Sequence, residues 1–461
     1  MSKPHIVLIV PRGEAVRNFL FSDTLSSLHQ QAQVTLLSVV TAPHITHYYD
    51  QHVDRSVVLK EYTEKRLVRV YRDVVHDSHF RWLDSGVARN SRAIKNAGVK
   101  TPRSKLKRTA LNQLSYVLGH RPILEQLTRL ERELTWRLRP TDDFVELFKE
   151  LKPDLVFNCS HIHGQAGSLP TRTAHRLGIP TAGFIFSWDN LTSRSRIFEP
   201  YDHYLVWHKG MRDQLLSLYP NVRAEQVHIT GTPQFDYHFK PAYWLSREEL
   251  AERIGIDPAR PYILYTTGAD KHFPEEHHHI KFVADYLARE FPEVQLVVRM
   301  YIKGIGEGTK ALATENRPNV IFPPVRWDAK WITPEYDDLA TYTSLLKHAA
   351  MGINPASTVS LELMMFDKPV MNIGFDPPTT QLASYDQWER HIHFDHYKPV
   401  ADSGGVMVAY SQAEMCQMIA DGLTRPEQGA DQRRAFIDAF FGPTVDGLAG
   451  QRVAQTLLAQ I

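Results

Sequence analysis

Cysteine is nearly absent from this 461-residue chain: Cys159 and Cys416 are the only two. Two thiols cannot build a disulfide framework, which excludes a small disulfide-stapled scaffold and suits a reducing cytoplasm. Long apolar runs are lacking too, and none reaches the roughly 20 residues that a membrane-spanning helix needs. Met1-Ser2-Lys3-Pro4 leads straight into HIVLIV with no signal-peptide pattern. A soluble cytoplasmic protein is the expectation. Charge of one sign is not in excess, the net being +1, so nothing global points to nucleic acid. There is no internal repeat and no low-complexity tract. What remains is an ordinary globular composition, 43% apolar and 23% charged. A chain this long exceeds one core, and two domains of roughly 200 residues each are expected.

Nearly continuous apolar runs recur with helical stretches between them. The first half holds HIVLIV (5–10), QVTLLSVV (33–40), PDLVFNCS (153–160), IPTAGFIFS (179–187), HYLVWH (203–208) and EQVHITG (225–231). The second holds PYILYTTG (261–268), VQLVVRMY (294–301), NVIFPP (319–324), MGINP (351–355), KPVMNIGF (368–375) and VMVAYS (406–411). Such runs predict parallel strands buried on both faces, hence an α/β chain with two doubly wound sheets. The predicted divisions are an acceptor domain over 1–235, a donor domain over 236–435, and a closing helix over 436–461 that packs back toward the first domain. Residues 62–150 interrupt the first sheet with amphipathic basic helices. Two such sheets facing each other would form a cleft at the carboxyl ends of their strands, where open α/β sheets bind ligands.

Charge is unevenly spread. Residues 61–140 hold 18 Lys/Arg against 8 Asp/Glu, and KNAGVKTPRSKLKR (95–108) carries six cations and no carboxylate. A solvated helical face or a mobile loop explains such a run; a surface for anionic lipid headgroups or an acidic acceptor is the sharper expectation.

The stretch GINPASTVSLELMMFDKPVMNIG (352–374) reads as strand, small polar turn, helix, strand. Ser357 and Thr358 open a helix whose unpaired amides and dipole favour an anion, and Glu362 lies one turn further on the same face. A nucleotide phosphate at the turn with ribose against the carboxylate fits this pattern; a plain Ser/Thr cap with an exposed Glu is the alternative. Arg299 ends the strand VQLVVRMY and Lys303 follows it, both suited to phosphate oxygens. Thr266, Thr267 and Gly268 end the half's first strand and allow close backbone approach.

In this order of motifs the second half resembles the nucleotide-binding half of the GT-B glycosyltransferases, two-Rossmann-domain enzymes, especially those of bacterial surface-polysaccharide synthesis. It is also similar to the CDP-glycerol glycerophosphotransferase and non-hydrolysing UDP-GlcNAc 2-epimerase branches. The resemblance sets Arg299 on the arginine of an Arg-x-His-Pro element, although Tyr301 stands at the histidine. It sets Ser357 and Thr358 on hydroxyls that hold donor phosphate, and Glu362 on the acidic residue that holds ribose. Lys368-Pro369-Val370 matches the strand after that helix, and FFGPTVDGLAGQRVAQTLL resembles the closing helix of the glycerophosphotransferase branch. The likeness covers most of residues 150–461 and leaves out the basic insert.

Sugar transfer with inversion needs a base on the acceptor side. PRGEAVRNF follows the first strand with Arg12, Gly13 and Glu14, and Gly-Glu resembles the position of the general base in Kdo transferases of this architecture. Its alternative is a first-turn Glu complementing a helix dipole. SHIHGQAG offers His161 and His163, as bases or as cationic phosphate ligands. SWDNLTSRSR offers Trp188, Asp189, Asn190 and Arg194, a flat face, a carboxylate, an amide and a cation for a sugar; related surface-polysaccharide proteins carry Trp-Asp-Asn here. An Asx turn with a buried Trp is the alternative. The histidine runs 277–279 and 391–397 lack cysteines or a His-Glu-x-x-His spacing, so no metal and no resident cofactor are expected.

These observations predict a metal-independent glycosyltransferase moving a sugar from a nucleotide sugar to a glycan or lipid-linked acceptor. The catalytic candidates are Asp189, His161, His163 and Glu14. Donor candidates are Arg299, Lys303, Thr267, Gly268, Ser357, Thr358 and Glu362, and acceptor candidates are Arg12, Trp188, Asn190 and Arg194. Without an intact Arg-x-His-Pro element, polyol-phosphate transfer from CDP-glycerol or CDP-ribitol is the second reading, and a non-catalytic nucleotide-sugar-binding assembly protein the third.

Overall fold

Apolar runs become strands in register. A computed structural model describes residues 3–162, 166–378 and 381–461. The chain divides into two compact units, Met1–Asp236 with Thr444–Ile461, and Tyr237–Pro443.

In the first unit β1 (His5–Val10) is buried along its whole length. Beside it run β2 (Gln33–Ser38), β3 (Arg55–Val58), β4 (Leu155–Asn158), β5 (Thr181–Phe184), β6 (His203–Val206) and β7 (Val227–Ile229). They form one parallel sheet in the order β3-β2-β1-β4-β5-β6-β7. The run reading anticipated six strands here; β3 escaped it because RSVV lies on the sheet edge and is largely exposed, so it shows no apolar stretch. The helical insert follows β3 as Arg66–Leu83, Gly86–Ala97, Pro102–Leu118 and Arg121–Leu138. The third of these starts with a Thr101/Ser104 capping box and a first-turn proline.

The last segment returns to this unit. Asp236 accepts from the amides of Ala449 and Gly450 (3.0 and 2.7 Å), and the helix Ala449–Leu458 packs on Asp23–Gln31. Gly231, at φ +77°, must be glycine twice over: its conformation is left-handed, and a Cβ would stand 2.8 Å from the Thr444 carbonyl.

The second unit holds β8 (Tyr262–Thr266), β9 (Gln295–Arg299) and β10 (Val320–Ile321). After a small ribbon, β11 (Trp327–Asp328) and β12 (Thr333–Pro334), come β13 (Met351–Asn354), β14 (Val370–Ile373) and β15 (Met407–Ala409). The parallel sheet has the order β10-β9-β8-β13-β14-β15. Both sheets thus contain the doubly wound 3-2-1-4-5-6 pattern, whose winding reverses between the first and fourth strands. That reversal lies between β1 and β4 in one unit and between β8 and β13 in the other, and the crevice beyond it is where such sheets take ligands.

Candidate functional site

The carboxyl ends of β8, β9 and β13 carry the most telling side chains of the second unit. Thr266, Arg299 and Asn354 each end a strand. Thr266 pairs with Arg299 in register, and Ile353 with Tyr265, so the three lie in one row on one face of the sheet. All three are buried. Each also keeps a polar atom with no hydrogen-bond partner among the described residues: Thr266 Oγ1, Arg299 Nη1 and Asn354 Nδ2. Three such atoms in a row at the carboxyl edge of a sheet could each bond a polar ligand.

Arg299 is 7% exposed. Its Nη2 donates to Asp338 Oδ2 (2.5 Å), which also accepts from Trp327 Nε1 (3.0 Å). The guanidinium lies 5.8 Å from the ring centre of Tyr342. The Tyr342 hydroxyl donates to Glu362 Oε2 (2.7 Å), and His238 Nε2 lies 3.0 Å from Glu362 Oε1. Arg299, Asp338, Tyr342, Glu362 and His238 therefore form one connected polar chain. Asp338, Tyr342 and His238 were not among the residues expected from sequence. His238 lies just past the predicted division at 235/236, and Asp338 and Tyr342 lie in the helix Tyr336–His348 that precedes β13.

Several expectations need correction here. Glu362 is 6% exposed and both its oxygens are occupied, so it is neither the exposed Glu of the plain-cap reading nor a carboxylate open to ribose. The helix after the turn, Val359–Met365, has only seven residues. Its first amides are not left open: Val359 N–H donates to Ser357 Oγ (3.3 Å) and Ser360 N–H to the Ser357 carbonyl (3.2 Å). Ser357 Oγ itself donates to Asn354 Oδ1 (2.9 Å). Thr358 is the N-cap residue, but its side chain makes no cap bond. Gly268 is glycine because Phe273 occupies the space, a Cβ falling 2.2 Å from that ring, and its amide donates to the buried Glu276 carboxyl. Burial pushes the Glu276 carboxyl well up. Thr267 is tied to the next loop, its Oγ1 accepting from Tyr301 N–H (2.8 Å). Lys303 is half-buried just beyond it.

A buried network holds the turn. Asn354 Oδ1 accepts from Ser357, Ser360 and Asn372, and Tyr397 donates to Ser360 Oγ and Asn372 Oδ1 (both 2.8 Å). The histidine triplet divides. His279 is buried beside the Phe375 carbonyl, whereas His277 and His278 converge with Glu275, their ligand atoms all within 4.8 Å of one another.

In the first unit, Arg12 and Glu14 follow β1 and His161 follows β4, on either side of the winding reversal. Glu14 is buried against Arg12 Nε (3.0 Å). His161 Nδ1 lies 3.2 Å from the Phe184 carbonyl and 3.3 Å from the Phe186 amide. Burial lowers its pKa to about 4 against a weaker upward pull from the Phe184 carbonyl. In the ligand-free chain the ring is therefore neutral at pH 7 and a weak base. His163 lies outside the described residues.

Trp188 is buried, so its indole belongs to the interior and offers no open stacking face. Asn190 is buried as well, its Oδ1 accepting from Ser187 N–H (2.9 Å). Asp189 Oδ2 accepts from Ser193 Oγ (2.5 Å). Asp189 Oδ1 also accepts from Asn190 Nδ2 (3.2 Å), so both its oxygens are engaged and Arg194 is the exposed charge of this group.

No family model matches the sequence, and no curated protein matches it. Solved structures do match, over the full length. A UDP-N-acetylglucosamine 2-epimerase is similar with a TM-score of 0.55 at 13% identity, covering 99% of this chain and 96% of that one. The UDP-GlcNAc 2-epimerase of Neisseria meningitidis, bound to UDP-GlcNAc, gives 0.54 at 11% identity, covering 99% and 100%. A glycosyltransferase of Rickettsia africae ESF-5 gives 0.51 at 9% identity, covering 99% of each chain. At such identities the likeness is one of fold, and it shows that this chain has the GT-B architecture, two parallel-sheet α/β domains in one polypeptide.

Proposed function

We propose that this chain is a metal-independent glycosyltransferase. It would take a nucleotide sugar as donor and a surface-glycan or lipid-linked acceptor, and work at the inner face of the cytoplasmic membrane. The observation that carries the proposal is the row Arg299, Thr266, Asn354, with three buried polar atoms left open at the carboxyl edge of a doubly wound sheet. A phosphate suits it: Arg299 Nη1 and Asn354 Nδ2 are donors, Thr266 supplies a hydroxyl, and a buried guanidinium binds such oxygens strongly. Asp338 holds the guanidinium in place, while the Asn354–Ser360–Asn372–Tyr397 network fixes the turn bearing Ser357 and Thr358. The polar chain to Glu362 and His238 positions this edge. In the first unit Asp189 is the leading base, with Glu14 and His161 behind it because one is ion-paired and the other weakly basic.

A panel of UDP, CDP, CMP, GDP and their sugars, screened by thermal shift, tests the donor. A ligand at a hundred times its Kd stabilises the folded state by about 2.7 kcal/mol, and one nucleotide class should stand out. Arg299→Met should then weaken that nucleotide by roughly ten- to a hundredfold, the range of one charged hydrogen bond. If no nucleotide stabilises the protein, the reading fails. Asp189→Asn separates the base from binding: transfer should fall while the nucleotide shift stays.

The full-length match to two UDP-GlcNAc 2-epimerases favours one other reading, an isomerase of the nucleotide sugar itself. It predicts turnover of the donor without any acceptor. Release of CMP from CDP-glycerol would instead mark polyol-phosphate transfer, and nucleotide binding without turnover a non-catalytic assembly protein.

A further inference from the structure

The basic insert carries an outer face that the sheet-edge chemistry does not use. Helix Pro102–Leu118 packs inward through Arg108 and Ser115. Opposite them lie Leu106, Ala110, Leu114 and Val117, at spacings of four, four and three, which is one stripe along a helix. Leu106, Leu114 and Val117 are 74, 43 and 63% exposed, and Ala110 is exposed too. Tyr116, also exposed, lies under the Arg81 guanidinium at 5.4 Å.

The charge around the stripe has one sign. From Ser85 to Leu124 the sequence holds nine Lys/Arg and no Asp/Glu. Two of the nine, Lys95 and Arg108, are spent inward on Asp77, which corrects the expectation that the whole run 95–108 faces outward. Lys100, Arg103, Lys105 and Lys107 are exposed. No helix among the described residues is long and apolar enough to cross a membrane.

We propose that this face of Pro102–Leu118 lies on an anionic lipid surface, with Leu106, Leu114 and Val117 in the headgroup–acyl boundary and Lys100, Arg103, Lys105 and Lys107 among the headgroups. Apolar stripe and cations together are what an interfacial helix requires. A second copy of the chain would bring two cationic, carboxylate-free surfaces together. Nucleic acid would satisfy the cations and leave the leucines uncovered. The proposal sharpens the membrane location given above, but its test reads lipid binding and needs no turnover.

The full chain is centrifuged with vesicles of phosphatidylcholine alone and with one part in three of phosphatidylglycerol. Binding is expected only with the anionic vesicles, and to fall as salt rises from about 0.1 to about 0.5 M. Each cation near such a surface is worth roughly fivefold, so Arg103→Gln/Lys105→Gln/Lys107→Gln should weaken binding by roughly a hundredfold. Leu106→Ala/Leu114→Ala/Val117→Ala should weaken it by at least about tenfold, since buried methylenes supply the other part. A dye on Leu106→Cys, with Cys416→Ser removing the half-buried native thiol, should shift to the blue on anionic vesicles, which reports insertion without depending on the alanine variants. The proposal is overturned by no vesicle binding, by binding that survives the alanine variant with no dye shift, by retention on nucleic acid alone, or by self-association that the alanine variant abolishes.

Discussion

Glu131 accepts from Arg72 Nε and from Arg172 Nη2, each at 2.7 Å, and its side chain is 0% exposed. The two arginines also approach Glu199, at 3.3 and 3.5 Å. Arg139 pairs with Glu64 and donates to Ser168, whose hydroxyl donates to Glu199 (2.5 Å). Three arginines and three glutamates thus clamp the insert to helix Ser168–Arg176, the helix next in sequence after the loop bearing His161. Glu131→Gln keeps the volume and removes one charge, leaving Arg72 and Arg172 in excess inside the protein.

Breaking one partner out of a buried ion pair costs about 3–5 kcal/mol. For a domain of this size each kcal/mol moves the melting midpoint by roughly 2–4 °C, so the midpoint of the first unit should fall by roughly 6–20 °C. Calorimetry measures the midpoint, and hydrogen exchange by mass spectrometry locates the loss. Protection should drop in Arg66–Leu83 and Arg121–Leu138 and stay unchanged across Tyr237–Pro443. Arg72→Met/Glu131→Leu, which removes one charge of each sign and leaves Arg139 and Arg172 facing Glu64 and Glu199, should recover much of the loss, because apolar replacement of buried ions is often neutral or favourable. A Glu131→Gln shift under about 2 °C, against the scale just given, would refute the clamp as a stabilising device.

The same cluster sets an acid limit. Burial alone would push Glu199 up, but Arg172, Arg72 and the Ser168 hydroxyl hold its pKa down to about 2 from 4.5, so it contributes about 3 kcal/mol at neutral pH that is lost as pH falls from about 4.5 to 2; denaturation followed across that window should show the decline, and Glu199→Gln should flatten it. Gly183→Ala should destabilise by about 1–3 kcal/mol, the usual cost of overpacking, since its Cβ would stand 2.7 Å from the Tyr201 ring; denaturant unfolding measures this. With its pKa near 4, His161 should show no imidazole titration by NMR between pH 5 and 8, and a midpoint near 6.5 would mean the ring is not buried as described.

Sequence reading reached the fold because parallel strands buried on both faces leave an unmistakable trace: HIVLIV and YILYT are apolar at every position or nearly so. It reached the strand ends for the same reason, since the first polar residue after such a run, Arg299 or Thr266, lies at the sheet's carboxyl edge. Partnership was not legible. Asp338 meets Arg299 across 39 residues and His238 meets Glu362 across 124, and neither spacing follows any local period. Trp188 and Asn190 were read as a sugar platform on residue type alone, whereas the short helix Asn190–Ser193 turns them inward. Lys95 and Arg108 read as surface charge until Asp77 supplied their counterion.

The two sheets provide an internal control on the proposed phosphate site. Asn158 and Asn354 hold the same topological place, each the last residue of the fourth strand in a 3-2-1-4-5-6 order, and each is buried. Asn158 is fully engaged: Nδ2 donates to Tyr201 OH (3.0 Å) and Thr171 Oγ1 (3.2 Å), and Oδ1 accepts from Ser160 N–H. Asn354 accepts three hydrogen bonds at Oδ1, yet its Nδ2 has none among the described residues. Leaving one buried donor unsatisfied costs about 1–3 kcal/mol. A ligand oxygen accepting from Asn354 Nδ2 would relieve that cost on binding, and no such gain is available at Asn158. Asn354→Asp should therefore weaken nucleotide binding by charge repulsion. Asn158→Asp should instead lower stability and leave the affinity of the remaining folded protein unchanged, because Asn158 has no donor to spare. Equal effects of the two substitutions on nucleotide affinity, read by calorimetric titration, would remove the distinction on which the donor site rests.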